Sequence, residues 1–194
     1  MPRAATALDS RLAQIVPVAV AREVCEQVVA HLGRLSFALA PAWDCPPLPA
    51  AERLAEASDL GLTVQALVSY AQRGLPCWDW PDHGCASDAC LSVLSALYSQ
   101  AGAPDLGGGA LDDEDLDLDS DVGLILVAAR ARIRLDQRGD LTPRDLEALS
   151  GLSRRSVQRL CDAGEIRATR ERGDYVVSAD EARRWLSSRR VTGL

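Results

Sequence analysis

Apolar side chains recur along most of this chain at steps of three and four, the spacing of an amphipathic helix, and alternate at steps of two only near the C-terminus. The run from Pro17 to about Leu39, PVAVAREVCEQVVAHLGRLSFAL, predicts a long helix with proline at its first position, where the missing N–H costs no bond. Ala21, Cys25, Val28, Leu32, Leu35 and Leu39 lie along one seam of it. Such a seam pairs two subunits as a short coiled coil or packs inside a helical domain. The run is short for a coiled coil and is interrupted by Gly33, so packing is the expectation. Ala50 to Leu60 and Thr63 to Arg73 predict two further helices joined at Gly61, with Thr63 as cap and Gly74 as stop, and Leu54, Leu62, Leu67 and Val68 as core. Ser87 to Ala101 predicts another, ending at Gly102. Ser120 caps a last helix of this part, Asp121 to about Arg138, on which Leu124, Val127, Ala128, Ala131 and Leu135 can pack.

From Leu141 to Trp185 the pattern becomes more specific. Thr142 followed by Pro143, with Asp145 three residues after the threonine, is a helix start. Leu146, Leu149, Leu152, Val157 and Leu160 carry the apolar positions, and Gly151 separates two short helices. Ser153 caps the second, whose first turns present Arg154, Arg155, Ser156, Gln158 and Arg159, side chains of the kind that read a DNA groove. Gly164 supplies a left-handed stop. Ile166 to Thr169 and Tyr175 to Ser178 predict two short strands around the hairpin tip Arg170, Glu171, Arg172, Gly173 and Asp174. Ser178 and Glu181 read as a second capping box, opening a helix that buries Ala182, Trp185 and Leu186. Helix, turn, helix, basic hairpin and helix together make a winged helix-turn-helix.

With these residues in hand, the segment resembles the DNA-binding domains of excisionases and MerR-type regulators. LSGLSRRSVQRL matches their helix-turn-helix, the stretch from AGEI to YVV their wing, and SADEARRWL their closing helix. The resemblance covers about the last third of the chain. It implies double-stranded DNA as partner, with the Ser153 to Ala163 helix in the major groove and Arg170 and Arg172 reaching the backbone or an adjacent minor groove. One position departs from the pattern: four residues before the turn glycine, where a small residue lets the helices touch, stands Glu147. A buried unpaired carboxylate is costly, so either the helix is rotated or Glu147 pairs with an arginine such as Arg155.

Charge sharpens this division. All 21 basic residues are arginine, and the formal net charge is −7. Residues 1 to 110 hold six arginines against eleven acids, Leu111 to Asp121 seven acids and no base, and Val122 to Leu194 fifteen arginines against ten acids. Only the last part is locally basic, which is what binding phosphates requires. Arg130, Arg134 and Arg138 recur every four residues and could contact phosphates or form a solvated face. The stretch APDLGGGALDDEDLDLDSD marks a boundary: a solvated linker, or an acidic segment folding back on the basic domain.

Candidate chemistry elsewhere is sparse. PAWDCPPLP, Pro41 to Pro49, reads as a packed connector. Cys77, His83, Cys85 and Cys90 are ligand types that zinc uses, but their spacing contains no C-x-x-C pair, so reduced structural thiols are the simpler expectation and no cofactor or metal is assigned. Two histidines, 31 and 83, assemble no nucleophile, base and orienter, and no phosphate-cradling glycine loop is present, so no enzyme chemistry is visible. No run has the length of a membrane span and MPRAATALDSRLAQ is unlike a signal peptide, which points to the cytoplasm. The expected fold class is mainly α. A helical domain for dimerisation or sensing spans 1–105, a Gly- and Asp-rich linker 106–120, and a winged helix-turn-helix with a two-stranded wing 121–194. The functional expectation is a DNA-binding regulator or excisionase-like accessory factor acting as a homodimer. A protein-interaction adaptor and a zinc- or redox-responsive regulator are the alternatives.

Overall fold

The computed structural model of the protein describes residues 11–39, 49–74, 116–171 and 173–189, with His31 and residues 33–39 as backbone only. In chain order the elements are α1 (Arg11–Gln14), α2 (Pro17–Leu39), α3 (Ala51–Ala57), α4 (Asp59–Arg73), α5 (Asp121–Asp136), α6 (Pro143–Ser150), α7 (Arg154–Asp162), β1 (Thr169–Glu171), β2 (Asp174–Val176) and α8 (Ala179–Ser188). The fold is mainly α with a small antiparallel wing near the C-terminus.

The helices form where the apolar pattern and the caps agree. Pro17 opens α2, whose first turns bury Val20, Ala21, Val24 and Cys25, whereas Leu32 farther along the seam stays 40% exposed. Ser120 caps α5 by accepting from the Gly123 N–H at 2.9 Å. Gly74 ends α4 in the left-handed conformation, as expected. The start of α4 differs from expectation. Ser58, not Thr63, is its cap, accepting from the Gly61 N–H at 3.1 Å. Gly61 lies inside the helix, where a Cβ would sit 2.4 Å from the carbonyl oxygens of both Leu54 and Ala55. The glycine is needed for close contact between α3 and α4 and not for the break between them.

Helix α5 is the centre of the described core. Val122 through Ala129 are buried without interruption, so the helix has no solvent face over its first two turns. It packs on α1, α2 and α4 on one side and on α6 and α8 on the other. Polar groups secure both contacts. Arg132, 2% exposed, donates from Nε to the Ala71 carbonyl at 2.5 Å and from Nη2 to that of Gln72 at 3.1 Å, capping the last turn of α4 with a cation. Burial pulls this guanidinium below its ordinary value, and the nearby Tyr70 and Asp136 oppose the shift. Tyr70 donates to Asp136 Oδ2 at 2.7 Å, and Arg183 of α8 donates to the Leu135 carbonyl at 2.7 Å.

Residues 116–120, the end of the expected linker, form a tight turn leading into α5. Leu116 is buried, and Arg144 of α6 donates to its carbonyl. From the other side Arg11 holds the turn, donating to the Leu118 carbonyl at 3.0 Å, to that of Asp119, and to Asp121 at 2.6 Å.

Candidate nucleic-acid interface

The reading unit is built outward from Thr142. Its side chain accepts from the Asp145 N–H while Asp145 accepts from the Thr142 N–H at 2.8 Å, the reciprocal cap expected. The same carboxylate, 1% exposed, takes both Arg134 Nη1 bonds at 2.8 and 2.7 Å, tying α6 to α5. Gly151 follows α6 at φ 70, a left-handed conformation that turns the chain sharply into α7. Glu147 is half-buried and makes no ion pair with Arg155 among the described residues. Instead α6 turns Leu146, Ala148, Leu149 and Ser150 inward, so a small alanine is buried and the carboxylate is not.

Helix α7 is strongly two-sided. Val157 and Cys161 face the core, with Leu160 packed against it. Ser153 is spent on capping: its Oγ accepts from the Ser156 N–H at 3.3 Å and lies 2.9 Å from the Ser156 hydroxyl. Arg155 and Arg159 are exposed, one turn apart, and neither has an ion-pair partner among the described residues. Gln158 is half-buried between them and the core. Arg154 lies 3.9 Å from Asp174 of the wing.

The wing sits closer to its tip than the sequence pattern placed it: Arg170, Glu171 and Asp174, expected at the tip, are strand residues, while 166–168 and 177–178, expected as strand, lie outside the two strands. β1 and β2 pair Thr169 with Val176, Arg170 with Tyr175 and Glu171 with Asp174, and the chain reverses between the last pair. An isolated bridge between Leu141 and Val177 ties the hairpin to the residue before α6. Arg170 does not extend from the tip. Its guanidinium stacks 4.7 Å from the centre of the Tyr175 ring, donates to the Tyr175 hydroxyl at 2.6 Å, and approaches Asp162 at 3.4 Å. Arg172 lies outside the described residues. So do Cys77, His83, Cys85 and Cys90, along with all but the last residue of the Pro41 to Pro49 connector, the Ser87 to Ala101 helix and the glycine-rich stretch.

Two expectations need correction. Ser178 caps α8, but the Glu181 carboxylate does not return to it as a capping box would require. It accepts from the Arg167 N–H at 2.9 Å and from Arg184, whose Nε lies at 2.8 Å. The hydrogen bond from Arg184, with help from the Arg167 backbone and both arginine charges, overcomes desolvation and holds this carboxyl at about 2. Nor do Arg130, Arg134 and Arg138 form one continuous stripe. Arg134 is bound to Asp145, and Arg138 lies beyond the end of α5 with φ 57. Arg167, which the sequence pattern did not single out, is exposed at the root of the wing, where its backbone N–H meets Glu181. Its signal was merely one more arginine in a basic stretch.

This arrangement agrees with an independent match. Residues 141–190 fit the model of a family described as helix-turn-helix domain. The segment is a winged helix-turn-helix, of the kind that binds DNA. No curated protein and no solved structure matches the chain. Among the described residues, no helix is long and apolar enough to cross a membrane.

Proposed function

We propose that this protein is a sequence-specific DNA-binding regulator, or an accessory factor of the excisionase kind, in which α7 enters the major groove. The observation that carries the reading is the pair Arg155 and Arg159, exposed on one face of a helix whose start is fixed by the Gly151 turn and the Ser153 cap. Arginines so placed reach guanine edges with two parallel bonds or neutralise flanking phosphates. Ser156, Gln158 and Arg154 flank them, while Ser153 keeps the helix end in place. The wing lies beside the duplex backbone, with Arg167 at its root as a phosphate contact; the sequence adds Arg172 as a further candidate. Arg130 and Arg138 are further candidates for phosphate contact, whereas Arg134 serves α6.

The N-terminal part of the chain, residues 1–105, supplies dimerisation or sensing, and the acid-rich stretch that follows joins it to residues 121–194. A homodimer would double a small footprint and match a two-fold site. The partly exposed seam of α2 at Leu32 supports that role. The cytoplasm is the compartment this reading requires.

A protein-interaction adaptor is the competing reading. It is favoured by the carboxylates that face Arg154 and Arg170. In-vitro selection of duplexes with the full chain, followed by titration in salt, separates the two. A regulator returns a motif and loses affinity steeply as salt rises. An adaptor returns none.

A further inference from the structure

Asp162 stands where a DNA reader has least use for an acid. It follows Arg155 and Arg159 at helical spacing, so the exposed face proposed to meet DNA ends in a carboxylate that phosphates repel. The structure surrounds this acid with groups from the wing: the Tyr175 hydroxyl donates to Asp162 Oδ1, and Arg170 sits 3.4 Å away while stacked on the same ring. An exposed ion pair alone holds little. Here the phenol bonds both partners, so three side chains from α7, β1 and β2 fix one another. At the other end of α7, Arg154 meets Asp174 of β2. The wing is therefore tied to both ends of the helix beside it.

We propose that Asp162 is a positioning residue for sequence selectivity, and that Arg170 serves as its latch and not as a phosphate contact. Asp162 holds the wing at a fixed offset from α7, so that groove and backbone contacts form together only on a duplex of matching shape. Its charge, neutralised only while the latch is closed, penalises looser complexes in which the wing swings away. The inference rests on the DNA-binding reading and assigns to Arg170 a role different from the one its sequence position implied.

The test uses the full chain, the duplex it selects, and a shuffled duplex of the same composition, each titrated across salt concentrations. For Asp162→Asn, affinity for the shuffled duplex rises, and the ratio of selected to shuffled binding falls roughly tenfold, about the discrimination carried by one base pair. The salt slope also steepens by about 0.9, the effect of one freed arginine reaching a phosphate. Arg170→Ala lowers the ratio while leaving the slope of the wild-type chain unchanged. Tyr175→Phe, which keeps the ring and removes the bridging hydroxyl, gives an intermediate ratio. An unchanged ratio in Asp162→Asn overturns the inference, because Asp162 then sets no selectivity, and so does a slope made shallower by Arg170→Ala, because Arg170 is then an ordinary phosphate contact. Failure of the wild-type chain to select any duplex is a distinct outcome: it removes the DNA-binding reading and this inference with it.

Discussion

Among individual residues, the question is which arginines are committed to the fold and which face solvent. The chain spends Arg132 on carbonyls of α4, Arg134 on Asp145, Arg144 on Leu116, Arg183 on Leu135 and Arg184 on Glu181. Arg155 and Arg159 are left on the outer face of α7. Replacing either by alanine should weaken binding to a selected duplex by about 1–3 kcal/mol, with little change in thermal stability because both side chains are exposed. Gel shift and a melting curve on the same variants check this. A loss of stability equal to the loss of binding would mean that these residues are structural. Glu181 makes the opposite case. Its carboxyl is depressed to about 2 in the folded chain from an ordinary value of 4.5, so it stabilises the native state above that ordinary value. This contribution is lost as the pH falls from about 4.5 toward 2. Glu181→Ala should cost about 1–3 kcal/mol at neutral pH, since the Arg167 N–H loses its acceptor. The variant's urea midpoint should also fall less steeply than that of the wild type through this acid range.

At the scale of elements, signals held within four residues were legible, the Ser178 and Glu181 box excepted, and those decided by packing were not. The Thr142 and Asp145 box, the Ser153 and Ser120 caps and the Gly74 and Gly164 stops are local chemistry, and the structure places each as expected. The pattern pointed to Thr63 as the cap of α4, and the structure uses Ser58. The choice was made by α3, whose Leu54 and Ala55 carbonyls need the space that only Gly61 leaves. The same limit hid the partner of Glu181, because Arg167 lies fourteen residues away across the wing. It also hid the latch at Arg170, which shows in sequence only as a basic residue near a turn. Gly61→Ala isolates the packing contribution, since the position is helical and alanine has the better helix propensity. If propensity decided the outcome, the variant would gain stability. The close carbonyls predict instead a loss of about 1–3 kcal/mol, as expected of overpacking, and a lower melting temperature would show which effect wins.

For the whole molecule, the division suggested by charge meets a hydrophobic core that does not follow it. The acidic stretch and the glycines before it suggest two independent bodies, and the family match begins only at residue 141. Yet the buried cluster runs from Leu12 to Leu186, and α5 lies in its middle with both sides covered. A helix buried on every side over its first two turns cannot keep one neighbour and release the other without exposing apolar surface to water, at roughly 25 cal/mol for each Å² uncovered. The N-terminal helices and the reading domain should therefore unfold together. Urea titration followed by far-ultraviolet circular dichroism and by the fluorescence of Trp185 in the reading domain, with Trp43, Trp78 and Trp80 replaced by phenylalanine, should give one coincident transition. Arg132→Met gives the sharper version of this test. It removes the cation that caps α4 and leaves the Ala71 and Gln72 carbonyls without their donor, at a cost of about 1–3 kcal/mol. If α5 couples the two sides, both probes move to the same lower midpoint, although the lost bonds are to carbonyls of α4, on the N-terminal side. A circular dichroism transition that shifts while Trp185 keeps its original midpoint would mean that the reading domain stands alone, and that a signal sensed by the N-terminal helices has no packed route to α7.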